Sequence, residues 1–298
     1  IVNTYNKKFE EVFIPVLYEN NNFIKYNQNN IDYLIIGSDE VFNCLQPYPV
    51  GYSRELFGYN FEKIPVCSYA ASFGQTNFSK LKKYDIENEI GKFLDKFKKI
   101  SVRDENSYET IKKLTSICPE INLDPVLITD YSDVMIDSCN LNDFIIIYAY
   151  PDRLTKNEKR VIKKFAKKHN KKIVSFGMYQ EISDIEIVVN PFEIFSYFKK
   201  ADFIITDTFH GSIFSIKNKS NFCTIVRNAN NENGNSNKLI DLLKRVNLED
   251  RIINDISDIY YMYDSKIDYD NTYLILKKEK IKSIDYLKRC LDWGKNDE

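Results

Sequence analysis

A chain of 298 residues is long for a single hydrophobic core and is expected to fold as two domains. With 43% hydrophobic and 29% charged residues it has the make-up of an ordinary globular protein, and a formal net charge of −1 excludes a whole-molecule field that would gather nucleic acid. Six cysteines scattered at 44, 67, 118, 139, 223 and 290 form neither a disulfide framework nor a zinc pattern, which suits a reducing cytosol. Two histidines, His169 and His210, argue against a His-rich metal centre, so no metal site is expected.

The chain opens at Ile1 rather than Met, in a polar stretch, and a segment upstream is expected to be missing. From there apolar runs read as strands over 33–36 and 66–70, followed by a helix over 85–99 with Ile86, Ile90, Phe93, Leu94 and Phe97 on one stripe. Strands follow at 100–102 and, after the polar run 131–142, at 144–148. A helix over 155–170 buries Val161, Ile162, Phe165 and Ala166 and turns a basic face outward. Strands at 173–176, 203–206 and 222–226 complete the series, with a helix over 211–217 between the last two. An Asn- and Gly-rich loop over 228–236 leads to a helix over 237–246. The last predicted helix, 271–293, pairs Leu274, Ile281, Ile284, Leu287 and Leu291 with a basic face that either is solvated or rests on a membrane surface.

Near-continuous apolar strands alternating with amphipathic helices predict an α/β fold of two Rossmann-like domains facing a cleft, divided as residues 1–139 (the first strand missing) and 140–298. Ligands of such sheets bind beyond the C-terminal ends of the strands. Three segments sit there. Asp207, Thr208, His210 and Gly211 lie where a strand turns into a helix, whose free N–H groups suit an anion and whose histidine can move a proton near neutrality. The alternatives are a buried histidine bonded to a carbonyl and Asp207 as a plain helix cap. Gly37-Ser38-Asp39 holds hydrogen-bonding groups for a sugar, although a cap for the next helix explains it more simply. Arg103 can clamp a phosphate or carboxylate, or pair locally with Asp104 or Glu105. No P-loop, G-x-G-x-x-G or G-x-S-x-G motif is present.

Taken in order, Asp32-Tyr33-Leu34-Ile35-Ile36-Gly37-Ser38-Asp39, Ser68-Tyr69-Ala70-Ala71-Ser72-Phe73-Gly74, Ile100-Ser101-Val102-Arg103-Asp104, Leu123-Asp124-Pro125 and Thr206-Asp207-Thr208-Phe209-His210-Gly211-Ser212 resemble the polysaccharide pyruvyl transferase family. The resemblance implies a glycosyltransferase-B-like fold and transfer of a pyruvyl group from phosphoenolpyruvate, with no cofactor. The implied acceptor is a sugar of a cell-surface polysaccharide or its lipid-linked precursor, and the implied location is the cytoplasm, at most peripheral to the membrane. It implies His210 as the general acid–base residue, with Arg103, Ser38 and Asp39 contacting substrates; from their positions Thr208 and Lys238 are expected to contact substrates too. Thr208 departs from the arginine that many members carry there, and Lys238 or Arg227 are the expected substitutes for its charge. Phe42 stands where Trp is common, and the Gly-rich first strand-turn is not visible. Two other readings stay open: a nucleotide-sugar glycosyltransferase of related architecture, and a non-catalytic glycan-binding relative.

Overall fold

The computed structural model describes residues 32–46, 51–61, 64–177, 179–227 and 236–292. These divide into two compact units: one holds 32–129 together with 274–292, the other Asp130–Tyr273. The first break thus falls at the start of the polar run 131–142.

In the first unit, β1 (Leu34–Ile36) pairs with β2 (Val66–Ser68), and β3 (Ser101–Val102) with β4 (Glu120–Ile121), all in parallel. Bridges Cys67↔Lys99 and Ala71↔Val102 connect β2 to β3. Around them lie α1 (Phe78–Lys83), α2 (Glu87–Leu94), α3 (Glu105–Leu114) and the short α4 (Pro125–Ile128). The helix predicted over 85–99 is shorter than its apolar stripe. Asp85 takes a left-handed φ of 57° ahead of α2, and residues 98–99 are claimed by β2, with Lys98 N donating to Val66 O at 2.8 Å. Phe42, Phe57 and Phe73 fill the core, with Phe42 ring centroids 5.1 Å from Phe57 and 5.3 Å from Phe73.

The second unit carries β5 (Phe144–Tyr148), β6 (Lys172–Phe176), β7 (Ile185–Ile187), β8 (Phe203–Thr206), β9 (Phe222–Ile225) and β10 (Ile252–Ile253). They form one parallel sheet in the order β10-β9-β8-β5-β6-β7. The chain enters at the centre on β5, winds outward to β7, returns to β8 beside β5, and winds outward the other way. This doubly wound order reverses between β5 and β8, whose last residues, Tyr148 and Thr206, are in register. Both strands are almost wholly apolar and buried, as strands covered on two faces must be. β7 and β10, at the sheet's edges, have only three and two residues and left no readable run in the sequence.

α5 (Lys156–Lys168) follows β5. Thr155 opens it with a capping box, its Oγ1 accepting from Glu158 N while Glu158 accepts from Thr155 N, and Ile162, Phe165 and Ala166 are buried. α6 (Ile194–Lys200), α7 (Phe209–Lys217), α8 (Ser236–Arg245) and α9 (Ile259–Asp264) complete this unit. α10 (Tyr269–Leu291) contains the second division between the units. Its later part belongs to the first unit: Ser283 Oγ accepts from Leu123 N at 3.0 Å, Tyr286 OH donates to Ser68 O at 2.8 Å, and Arg289 binds Glu120. Cys290 and Cys67, far apart in sequence, meet there in one buried cluster with Tyr286, and the neighbouring Cys67 thiol lowers the pKa of Cys290. The loop predicted over 228–236 lies, up to residue 235, outside the described residues, as does Trp293.

Candidate active site

Arg103 organises the first unit. It follows β3 directly, its guanidinium is 1% exposed, and it reaches two carboxylates far off in sequence: Nη2 to Asp39 Oδ1 at 2.7 Å and Nη1 to Asp124 Oδ2 at 3.1 Å. Burial opposes its charge, but Asp39 and Asp124 outweigh burial and hold its pKa above the ordinary value. The adjacent Asp104 adds to the pull on this charge, as the sequence suggests, but the two short ion pairs reach carboxylates of other segments. Asp104 instead caps α3, accepting from Ser107 N and Oγ, and receives the Ser72 hydroxyl at 2.5 Å. Asp124 caps α4 through Val126 N.

Ser38 and Asp39 join the same lattice. Ser38 Oγ donates to Ala70 O at 3.2 Å and lies 3.4 Å from Asp124 Oδ2. Asp39 takes a left-handed φ of 61°, and although it is bonded to the buried guanidinium its side chain remains 69% exposed. Gly37, at φ 127°, passes so close to the Tyr69 carbonyl that a Cβ would collide with it. The motif segments around 37–39, 69–74, 103–104 and 124 are therefore one hydrogen-bonded construction that presents the Asp39 carboxylate to solvent. Arg103, expected to meet a donor's phosphate or carboxylate, holds Asp39 and Asp124 in the structure.

In the second unit the turn after β8 sits at the point where the sheet's winding reverses. Thr208, not Asp207, is the N-cap of α7: its Oγ1 accepts from Gly211 N at 2.9 Å. Thr206 Oγ1 donates to Tyr148 O at 2.6 Å and accepts from Thr208 N at 3.1 Å, tying β8, β5 and the cap together. Gly211 is required by this packing, since a Cβ would overlap Thr206 Oγ1 and stand 2.8 Å from both Thr208 Oγ1 and Tyr148 Cδ1. Gly211→Ala is accordingly expected to lower the unfolding free energy by about 1–3 kcal/mol in a denaturant titration. His210, in the first turn of α7, is half-buried between the Phe209 and Phe214 rings, with centroids at 5.7 and 6.1 Å.

Asp207, freed from capping, is fully buried and gathers cations. Arg227, just past β9, places Nε 3.3 Å from Asp207 Oδ2, and Arg153, in the loop after β5, has Nη1 at 3.9 Å. Arg227 also binds Glu158 of α5 at 3.2 Å, and the Arg153 guanidinium lies 4.2 Å over the Tyr150 ring. Burial pushes the Asp207 carboxyl above its ordinary value, with Arg153 and then Arg227 pulling it back. A carboxyl raised in the folded state stabilises below its unfolded value near 3.8 and loses that contribution as pH rises through the folded value. Arg227→Met, which weakens the downward pull, is expected to destabilise more at pH 7 than at pH 4 in paired thermal melts.

The expected residues Asp207, Thr208 and His210 do share this turn, but the gathering of cations on Asp207 and the part of Arg153 in it left no local signal in the sequence. Lys238 stands in the first turn of α8, a separate element. Among the described residues no three His, Cys, Asp or Glu side chains gather as a metal would require.

His210, in the first turn of α7, stands three residues after Asp207 and its two arginines, at the point where the sheet's winding reverses and open α/β sheets bind ligands. The family model of polysaccharide pyruvyl transferases matches residues 2–228, and the chain belongs to that family. A comparison with curated proteins finds no match. Among solved structures, the chain is similar to a putative UDP-N-acetylglucosamine 2-epimerase from Listeria monocytogenes at 8% identity and TM-score 0.48, covering 82% of this chain and 68% of that one. It is also similar to a UDP-GlcNAc 2-epimerase from Neisseria meningitidis at 14% identity and TM-score 0.40, covering 76% and 71%. The glycotransferase of kitacinnamycin is similar at 11% identity and TM-score 0.43, over 76% and 71%. These likenesses are faint; the α/β class rests on the chain's own strand order.

Proposed function

We propose that this transferase moves a pyruvyl group from phosphoenolpyruvate to two hydroxyls of a sugar in a cell-surface polysaccharide or its lipid-linked precursor. The observation that carries this reading is His210 in the first turn of α7, with Arg153 and Arg227 gathered beside that turn by Asp207. In the reaction two hydroxyl oxygens bond to the carbon that bore the phosphate, phosphate leaves, and the methylene becomes a methyl group. One hydroxyl proton ends on that methyl and the other on phosphate. His210 is the group that moves these protons. No cofactor is needed.

The α7 N-terminus and the two guanidiniums supply the positive field for the donor's phosphate and carboxylate, in place of the cation missing at Thr208. Ser38 and Asp39 are the substrate-contacting residues of the first unit, and Arg103 is the group that positions them. No helix among the described residues is long and apolar enough to cross a membrane, and the cytoplasm, beside a lipid-linked acceptor, is the proposed location.

Calorimetry with phosphoenolpyruvate, followed by a phosphate-release assay with candidate glycans, tests the reading. Binding that weakens at least about tenfold in Arg227→Ala supports it. No binding, together with thermal stabilisation by a UDP- or GDP-sugar, overturns it in favour of a nucleotide-sugar glycosyltransferase.

A further inference from the structure

The outward face of α5 carries an unusual density of like charge. Its 13 residues include Lys156, Lys159, Arg160, Lys163, Lys164, Lys167 and Lys168 against one acid, Glu158, and that acid is bonded to Arg227. The whole chain, by contrast, has a formal charge of −1. Lys159 binds Glu181 at 2.8 Å, whereas Lys156, Arg160, Lys163, Lys164, Lys167 and Lys168 are exposed and make no salt bridge among the described residues. Six like charges along roughly 18 Å of helix, at 1.5 Å per residue, repel one another, are only partly offset by Glu181 and by the Tyr260 ring under Lys168, and make this face attractive to a polyanion.

Where this strip starts is informative. α5 begins just after the loop that carries Arg153, and its Glu158 touches Arg227, so its N-terminal end adjoins the His210 turn of the same unit. Two exposed aromatic rings stand at that end. Tyr150 is 43% exposed and stacked on Arg153; Tyr179 is 66% exposed and adjacent to Gln180, whose Nε2 donates to Ala149 O at 2.8 Å and lies 3.4 Å from Tyr150 O. Exposed rings beside polar groups suit the faces of sugars.

We infer that Tyr150, Tyr179 and the basic strip of α5 form a track for an anionic glycan chain, which lies along the helix while one of its sugars occupies the site. The inference rests on the glycan-modifying reading above. It fits the chemistry of the product, because each pyruvylated sugar adds a carboxylate and the growing polymer is a linear polyanion. A bilayer is the less suitable partner: every exposed side chain of α5 is charged or polar, and the apolar stripe that would enter lipid is buried in the core.

The test measures binding of a defined-length oligogalacturonate to the full chain, without donor or turnover. Wild type is expected to bind, more weakly by about tenfold at physiological than at low ionic strength, and not to bind a neutral dextran of equal length. Lys163→Glu/Lys164→Glu/Lys167→Glu is expected to weaken binding at least tenfold. Lys277→Glu/Lys278→Glu/Lys282→Glu on α10, with the same change of net charge, is expected to leave it unaltered. If circular dichroism shows the α5 reversal misfolded, the milder Lys→Gln set at the same three positions, with at least a threefold loss, replaces it. Equal loss in both triples, or binding to phosphatidylglycerol vesicles but not to the oligogalacturonate, overturns the inference. Failure of phosphoenolpyruvate to bind would remove the donor assignment while leaving this measurement standing, so the two are separable.

Discussion

His210→Gln is expected to lower kcat by roughly 10²–10⁴ while leaving phosphoenolpyruvate affinity within about threefold of wild type. The expectation follows from position. His210 is half-buried in the first turn of α7, whereas the cap and the ties between strands are made by Thr208, Thr206 and Ser212. An amide of similar size keeps the space between Phe209 and Phe214 filled but cannot shuttle a proton. The change therefore separates chemistry from scaffold: single-turnover phosphate release collapses and the melting curve does not. A loss of less than tenfold in kcat would show that another group moves the protons. A parallel loss of kcat and melting temperature would show His210 to be structural.

Arg103→Met has the opposite signature. Its guanidinium and the Asp124 carboxylate are 1% and 2% exposed, and removing one partner strands the other charge in a medium that cannot solvate it. The expected loss is about 3–5 kcal/mol of unfolding free energy, read by urea titration and independent of substrate. Arg103→Lys is expected to recover only part of this, because an ammonium cannot span Asp39 and Asp124 as the planar fork does. Were Arg103 chiefly a donor-binding residue, the ranking would invert, with stability nearly unchanged and phosphoenolpyruvate affinity lost.

The contrast between these two residues shows what the sequence made legible. Strands β5 and β8 and helix α5 were readable because burial on both faces writes an unbroken apolar run and burial on one face writes a 3.6-residue stripe. His210 was readable because a strand-turn-helix context is local. Arg103's partners were not: Asp39 and Asp124 lie 64 and 21 residues away, and no local rule prefers them to the adjacent Asp104 and Glu105. The role of Asp207 was hidden for the same reason, since its arginines arrive from the ends of β5 and β9. The pairing of Cys67 with Cys290 likewise depends on the return of α10 to the first unit.

That return has a consequence for how the protein is made. The ribosome delivers Leu34 through Thr129 early, yet Ser68 O, Leu123 N and Glu120 obtain their partners from Tyr286, Ser283 and Arg289, among the last of the described residues to emerge. The second unit, through Tyr273, has its whole sheet by then. The half of the molecule translated first is thus the half finished last, and a nascent chain halted before Leu274 would expose an incomplete first unit beside a complete second one.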